Sequence, residues 1–224
     1  SKQGFMDALT GIYMLMRDNG YNPGDVMLGG QGNMYFIEFM SCLWELDGGY
    51  EGIREYDLYH HIYTNSSTAS VMERTFLALY KIIANANLLI DGLNNADAKS
   101  ILGESTYNII RGEALALRAF AHFDLIRIWG PMPTQVDYAR KYLPYVETVT
   151  TANFVYTTYA DYMEKLMADL DESEKLLETS EPALENNIAG MNDSSYGYWS
   201  HRQNRLNYYG VLGLQARVHL WMQE

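Results

Sequence analysis

The chain has 224 residues, of which 48% are hydrophobic and 20% are charged, so it is a globular protein that can bury a substantial core. Sixteen lysine and arginine residues stand against twenty-eight aspartate and glutamate residues, which gives a formal charge of −12. That charge opposes binding to phosphates or anionic lipid headgroups, so nucleic acid is not an expected partner. No run of residues approaches the roughly 18 to 20 apolar residues of a membrane-spanning helix.

Tyrosine dominates the aromatic content, with nineteen tyrosines against seven phenylalanines. A tyrosine combines a flat apolar face with a hydroxyl group, so exposed tyrosines suit ligands such as sugars, which are apolar on one face and hydroxylated at their edges. Most of the tyrosines are nevertheless expected to be half-buried between helices. The single cysteine, Cys42, cannot form an internal disulfide and is expected to be a small buried side chain.

The N-terminal region has helical periodicity. A first helix is predicted from the apolar residues Phe5, Leu9, Ile12 and Met16, and the turn residues of 19–24 end it. A second helix is predicted from Phe36 to Leu46, after a glycine-rich stretch at 29–32. From Tyr50 to Ser70 the period disappears, which predicts a long loop of the kind that is usually functional or mobile.

Two further helices are predicted in the middle of the chain. The first begins at a capping box formed by Ser70 and Glu73 and ends near Gly92. The second begins near Ser105, is apolar around most of its circumference and ends at Gly130-Pro131, so we expect it to be the central helix of the fold. Its charged residues must then be paired, and Asp124 and Arg127 have the i,i+3 spacing of an ion pair.

The C-terminal region is predicted to hold two more helices. Residues 131–152 are predicted to be a loop in which 146–150 pair briefly as a strand. A helix follows with the apolar stripe Tyr156, Tyr159, Met163, Leu166, Leu170 and Leu177 and the solvated residues Asp161, Glu164, Lys165, Asp169, Asp171 and Glu172. Residues 179–203 are predicted to be irregular, and a last helix carries the stripe Tyr209, Leu212, Ala216 and Leu220.

The predicted fold is therefore all-α, with tetratricopeptide-like helical hairpins joined by long irregular loops. The spacing between the helices that begin at Ser70 and Ser105 is near 35 residues, compatible with the tetratricopeptide period, although no full repeat signature is present. The last helix runs to Glu224 without a turn signal, so we expect residues 1–224 to form a single domain that is a fragment of a longer protein.

One long segment carries a family resemblance. The stretch from Arg111 to Pro133, RGEALALRAFAHFDLIRIWGPMP, resembles the most recognisable segment of SusD/RagB proteins, approximately R-x-E-A-x-x-L-R-A-x-x-Y-F-D-L-x-R-x-[FWY]-G-x-[VIM]-P. Shorter resemblances to the same family lie at 8–13, 80–89, 204–206 and 216–218 and together span nearly the whole chain.

The resemblance implies an N-terminal SusD-like helical domain of an outer-membrane nutrient-binding lipoprotein. It implies non-catalytic binding of an oligosaccharide at the cell surface, as part of polysaccharide utilisation, and delivery to a SusC-like, TonB-dependent transporter. The membrane attachment would be an N-terminal lipid anchor that lies outside this chain, because Cys42 has no signal sequence before it. The family's C-terminal half, which contributes to the ligand face, is also outside this chain.

The residues themselves do not favour an enzyme or a metalloprotein. A glycosidase needs two carboxyl groups roughly 5 to 9.5 Å apart across a cleft, whereas acidic pairs such as Asp161 and Glu164 fall on a solvated helix face. His60 and His61 are adjacent, and successive residues do not converge on one metal ion. His122 is expected to be a hydrogen-bonded core residue, so we expect no cofactor and no metal site.

The residues that are candidates to bind a glycan are aromatic side chains outside the helical stripes. The hypothesis places ligand stacking on Tyr56, Tyr59, Tyr63 and Trp199, with Asn65 as a polar edge. Glu113, Arg118, Asp124 and Arg127 of the family-like segment are expected to fix helix packing through ion pairs rather than to contact a ligand. The alternative is a tetratricopeptide-like scaffold whose ligand is a peptide or a partner protein.

Overall fold

The fold is described from a computed structural model, which describes residues 1–17, 34–43, 53–95, 97–150, 152–186 and 194–223. Helices make up nearly all of the regular structure in these residues. They are α1 (Lys2–Arg17), α2 (Met34–Met40), α3 (Arg54–Tyr59), α4 (Ser66–Leu93), α5 (Ala98–Leu102), α6 (Glu104–Trp129), α7 (Tyr159–Glu178), α8 (Pro182–Asn186) and α9 (Tyr208–Met222). Two short strands, β1 (Lys141–Leu143) and β2 (Thr157–Thr158), and three 3-10 turns, at Pro133–Gln135, Ser194–Trp199 and Arg202–Asn204, complete the described elements. The expectation of an all-α fold is confirmed.

The chain divides into two compact units. The first unit comprises Ser1–Thr10 and Ile83–Glu224, and the second unit comprises Gly11–Ile82. The first unit therefore contains α5 to α9 and the two strands, and the second contains α2 and α3. Helices α1 and α4 each run from one unit into the other.

Helix α6 is the centre of the first unit, as its apolar circumference predicts. Ala114, Leu117 and Ala121 on one side and Ala116 and Ala119 on another have no exposed surface. Because both sides are covered, the helix is enclosed by its neighbours rather than packed on one face.

Helices α6 and α7 approach each other closely at Gly112. The hydroxyl of Ser173 donates a 2.7 Å hydrogen bond to the Gly112 carbonyl oxygen. A Cβ atom at position 112 would lie 2.9 Å from Cγ of Leu177, so a larger residue fits only if the Leu177 side chain or α7 shifts. The glycine sets the distance between these two helices.

Side-chain caps define where α7 and α9 begin. Oγ1 of Thr158 accepts a 3.2 Å hydrogen bond from the backbone amide of Asp161, and Oδ1 of Asn207 accepts one of 2.8 Å from Gly210. Each cap satisfies an amide that the first turn of a helix leaves without a backbone partner. The predicted start of α7 at Tyr156 is therefore three residues early, and Tyr156 is 55% exposed.

The short β ribbon does not lie where the sequence predicts it. Strand β1 pairs antiparallel with β2, with Lys141 opposite Thr158 and Leu143 opposite Thr157. The β-branched run at 146–150 is not a strand, because Val146 instead binds side chains of the helices beneath it: its amide donates to Nε2 of His122 and its carbonyl accepts from Asn87.

The predicted loop from Tyr50 to Ser70 contains helical structure in its described part. Helix α3 covers Arg54–Tyr59, and α4 begins at Ser66 rather than at Ser70. The capping box at Ser70 is therefore wrong: the Ser70 carbonyl lies inside α4 and accepts a hydrogen bond from Nε of Arg74. The first residues of α4 are polar, so they lack the apolar periodicity that indicates a helix. One of them, Thr68, is nevertheless buried, because it contacts Asp57 of α3.

Three expectations about burial are also wrong. Cys42 is exposed, with a left-handed backbone φ of 56°, because α2 ends just before it. Asp169 is buried because it pairs with Arg118 of α6. In α9 the buried residues are Val211, Leu214 and Val218, whereas Leu220 of the predicted stripe is 79% exposed.

Several predicted features lie outside the described residues. They are the turn after the first helix at 19–24, the glycine-rich stretch at 29–32, the turn at 47–49 and the turn residues at 190–193. The second predicted helix itself is shorter than expected, because α2 ends at Met40 and not at Leu46. Helix α4, with 28 residues, is long and apolar enough to cross a membrane by length and composition alone. Half of the most apolar 18-residue window of α4 is buried inside the fold.

Candidate functional site

Four of the five predicted binding residues lie in the second unit, on α3 and on the segment that joins it to α4. We call Tyr56, Tyr59, His60, His61 and Tyr63 the tyrosine segment. A buried carboxylate beneath it, Asp57, is only 2% exposed. Asp57 accepts hydrogen bonds from Nδ2 of Asn65 at 2.7 Å and from Oγ1 of Thr68 at 3.3 Å. These bonds tie the segment to both helices and fix its path.

The first part of the tyrosine segment is a ring cluster around His60. The His60 ring centroid lies 4.2 Å from that of Tyr56 in a tilted arrangement and 5.1 Å from that of Tyr59, edge to face. Tyr56 and His60 meet because residues four apart lie on the same side of a helix turn. Both tyrosines are half-buried, so each keeps part of its ring accessible.

The second part is the pair formed by His61 and Tyr63. Nδ1 of His61 lies 3.0 Å from the Tyr63 hydroxyl, and the two rings are 6.1 Å apart. His61 has a left-handed φ of 56°, which turns the chain between the two histidines. Tyr63 is 42% exposed, and partial burial raises the pKa of its phenol, so the hydroxyl stays protonated in neutral solution.

Asn65, which was predicted to be a polar edge of the site, has one of its two polar side-chain atoms bound within the protein. Its amide nitrogen is bound to Asp57, so the side-chain oxygen is the atom that can accept a hydrogen bond from a ligand hydroxyl. The segment therefore offers ring faces, a phenol hydroxyl and an amide oxygen, which are groups that recognise hydroxylated ligands.

The fifth predicted residue, Trp199, belongs to the first unit. It is half-buried and meets Tyr198 edge to face, with ring centroids 4.9 Å apart. The Tyr198 hydroxyl donates a 2.8 Å hydrogen bond to the carbonyl of Met6 in α1, and Oγ1 of Thr10 lies 3.3 Å from the same hydroxyl. The loop that carries Trp199 is thus fastened to α1 rather than free.

Sequence reasoning missed Asp57, Tyr198 and the role of the two histidines. The i,i+4 spacing of Tyr56 and His60 is a signal that could have placed them together, once α3 was recognised as a helix. Asp57 binds residues 8 and 11 positions further on, in a stretch that was predicted to be a loop, and Tyr198 binds residues 188 and 192 positions earlier, which no local pattern indicates.

The charged residues of the family-like segment form internal ion pairs, as expected. Arg118 donates from Nε and Nη2 to the two oxygens of Asp169 at 2.7 and 2.5 Å, and from Nη1 to Asn87 at 2.8 Å. The Tyr145 hydroxyl donates to the same carboxylate at 2.5 Å. Arg127 is paired with Asp124 at 2.6 Å. The charged groups of Arg118, Asp124 and Arg127 are thus hydrogen-bonded to other residues of the protein.

His122 is a core residue, as expected, and has no exposed surface. Its Nε2 accepts a 3.2 Å hydrogen bond from the Val146 amide, so Nδ1 carries the hydrogen and donates to the Tyr162 hydroxyl at 2.8 Å. Burial, reinforced by the positive charges of Arg118 and Lys165, lowers the pKa of His122 to about 3. The imidazole is therefore neutral, and it joins α6 and α7 to the segment at 146.

Within the described residues no group of three His, Cys, Asp or Glu side chains could hold a metal ion. Asp161 and Glu164 lie on the exposed side of α7, as expected, and Asp161 accepts a 2.7 Å hydrogen bond from Thr158. The contact between Thr158 and Asp161 belongs to the N-terminal cap of α7.

Comparison with known proteins identifies similar sequences and folds. A family model described as SusD-like, starch-binding and associating with the outer membrane matches residues 46–187. A SusD superfamily protein of Bacteroides thetaiotaomicron has a similar fold, with a TM-score of 0.66 and 19% identity over 100% of this chain and 43% of its own. No curated protein matches the sequence.

Two further solved structures are similar at the same low identity. A SusD superfamily protein of Bacteroides vulgatus matches 96% of this chain and 43% of its own, with a TM-score of 0.58 and 19% identity. A SusD-like carbohydrate binding protein of Bacteroides fragilis matches 96% of this chain and 40% of its own, with a TM-score of 0.57 and 19% identity. The chain thus spans about two fifths of the length of these relatives.

Proposed function

Because the chain belongs to the SusD-like family of starch-binding proteins that associate with the outer membrane, we propose that it binds oligosaccharides, without catalysis, through aromatic side chains that are exposed or half-buried. The observation that carries the proposal is the tyrosine segment, which lies inside the residues that the family model matches. There Tyr63 is 42% exposed and its hydroxyl is held by His61. A fixed, accessible ring is what stacking on a sugar face requires.

The chemistry of the segment supports a neutral, hydroxylated ligand. Ring faces at Tyr56, Tyr59 and Tyr63 would cover the apolar faces of sugar rings, and the Asn65 oxygen would accept from a hydroxyl. Trp199, which belongs to the first unit, would offer a separate stacking surface. Each ring would contribute on the order of 1 kcal/mol, so the affinity would be modest.

Titration calorimetry with a panel of oligosaccharides, beginning with malto-oligosaccharides, tests this proposal. Tyr63→Ala and Trp199→Ala, alone and combined, are compared with Tyr138→Ala, which removes a tyrosine that is 67% exposed and outside the proposed surfaces. We expect each of the two ring variants to weaken binding about tenfold and the control to bind as wild type does. Wild-type affinity in the double variant would reject this placement of the ligand.

The bound oligosaccharide would be delivered to a SusC-like, TonB-dependent transporter. The protein would be held at the cell surface, on the outer membrane, by an N-terminal lipid. Affinity purification of the full-length protein from solubilised outer membranes tests this part separately. Recovery of a transporter of that class supports delivery, and reproducible recovery of a different partner, with no glycan binding, would favour an interaction scaffold.

A further inference from the structure

The loop that carries Trp199 rests on a buried group of charged residues. Arg202, three residues after Trp199, has no exposed surface. Its Nε and Nη2 atoms donate to both oxygens of Glu181 at 2.8 and 2.6 Å, and its Nη1 donates to Glu113 of α6. Glu113 also has no exposed surface, and Glu181 is 3% exposed. One guanidinium therefore joins the loop to α6 and to the residue that precedes α8.

The same guanidinium lies against the Trp199 ring. Its Cζ atom is 5.8 Å from the ring centroid, within the range of a cation–π contact. Between the two residues the chain passes through His201, whose φ of 56° is rare for a residue with a side chain. A fixed residue on each side of this turn keeps such a backbone in place.

A second arginine repeats the arrangement one turn later. Cζ of Arg205 lies 4.5 Å from the centroid of Tyr198, and its Nη1 is 4.0 Å from the other oxygen of Glu113. Glu113 thus binds the Arg202 guanidinium by a hydrogen bond and lies at ion-pair distance from that of Arg205, and each guanidinium lies over one of two neighbouring aromatic rings. A member of the family-like segment in this way supports the candidate binding loop without facing a ligand.

We propose that Arg202 is a positioning residue, which holds the Trp199 ring in the orientation that stacks on a sugar. The inference rests on the proposed function, since it names the residue that prepares one of its ring surfaces. A ring that is fixed during folding loses little freedom when the ligand binds, whereas a mobile ring must be ordered at the expense of affinity. Only arginine can make this set of contacts, because its planar fork binds Glu181 with two atoms and Glu113 with a third, whereas lysine is a single point charge.

The test uses protein that contains 5-fluorotryptophan, whose Trp199 fluorine resonance is assigned with Trp199→Phe. Arg202→Lys is compared with wild type and with Arg111→Lys. The control replaces an arginine of α6 that binds Glu172 at 2.7 Å and lies outside the loop. In Arg202→Lys we expect the Trp199 resonance to broaden and move, and glycan affinity to fall roughly threefold to tenfold. In Arg111→Lys both should remain as in wild type.

The outcomes separate this inference from the proposed function. If Arg202→Lys fails to fold, Glu181→Gln takes its place with the same expectation, because it keeps Arg202 and an acceptor oxygen. A folded variant in which the Trp199 resonance is unchanged, or in which it changes while glycan affinity does not, overturns the inference. If the wild-type chain binds no glycan, the proposed function fails, and the fluorine resonance alone still decides whether Arg202 holds the ring.

Discussion

Acid should destabilise the fold through His122, and the size of the effect follows from its surroundings. The imidazole is held neutral with a pKa of about 3, whereas in the unfolded chain it titrates at its usual value of 6.5. Between pH 3 and pH 6.5 the imidazole is therefore protonated in the unfolded state and neutral in the folded state. Stability is therefore fully present above about pH 6.5 and is lost as the pH falls towards 3, by up to about 1.4 kcal/mol per pH unit.

Between pH 7.5 and pH 4.5 this single residue should remove about 2.5 kcal/mol of unfolding free energy. Urea denaturation of wild type and of His122→Asn measures the effect across that range, and the asparagine amide keeps a donor near Tyr162. Carboxylates titrate alike in both proteins, so the difference between their unfolding free energies isolates His122. That difference should shrink by about 2.5 kcal/mol as the solution is acidified. A difference that stays constant with pH would refute the reasoning.

Two other substitutions test the packing of α6 against α7 by chemical denaturation, and a third is a surface control. Asp169→Asn leaves the buried guanidinium of Arg118 without its counter-charge and should lower the unfolding free energy by about 3 to 5 kcal/mol, and a loss under 1 kcal/mol would contradict the ion pair's burial. Gly112→Ala places a methyl group 2.9 Å from Leu177 and should lower the unfolding free energy by about 1 to 3 kcal/mol. An unchanged midpoint would contradict the tight contact between α6 and α7 at this position. Tyr138→Ala, at an exposed position, should change the unfolding free energy by less than about 0.5 kcal/mol.

The sequence predicts a helix well where its apolar residues are compatible with a single buried arrangement. Helix α6 is apolar around its circumference and is closed by Gly130-Pro131, so both its central place and its end could be predicted. Helix α9 is also apolar on several sides, and periodicity alone then cannot choose between the stripe with Leu220 and the buried one with Leu214. Packing on α6 and α7 makes the choice.

Contacts between distant residues account for the other differences. Asp169 reads as a solvated residue of α7, and only its partner 51 residues earlier, Arg118, explains its burial. The polar run that begins at Ser66 has the sequence of a loop but forms the first turn of α4. The hydrogen bond from Thr68 to Asp57 of α3, which stabilises this turn, cannot be inferred from the run itself. A local sequence pattern shows the type of each residue, whereas the burial of these side chains depends on partners in other helices.

In the candidate site, too, some features follow from the local sequence and others depend on contacts with other residues. Composition and position led to the proposal of Tyr63 and Trp199, since both stand outside the helical stripes. The groups that hold them, His61 and Arg202, have no local pattern that indicates a supporting role. Their contribution is visible only in the arrangement of the rings.

The central claim is that exposed rings contact the glycan, while the charged residues of the family-like segment hold the helices together. Calorimetric titration of one bound oligosaccharide into Tyr63→Ala and Arg127→Lys tests it directly, because Arg127 is a partly exposed member of that segment paired with Asp124. The account predicts a Kd about tenfold higher for Tyr63→Ala and a Kd within about twofold of wild type for Arg127→Lys. Weakened binding in Arg127→Lys with unchanged binding in Tyr63→Ala would contradict it.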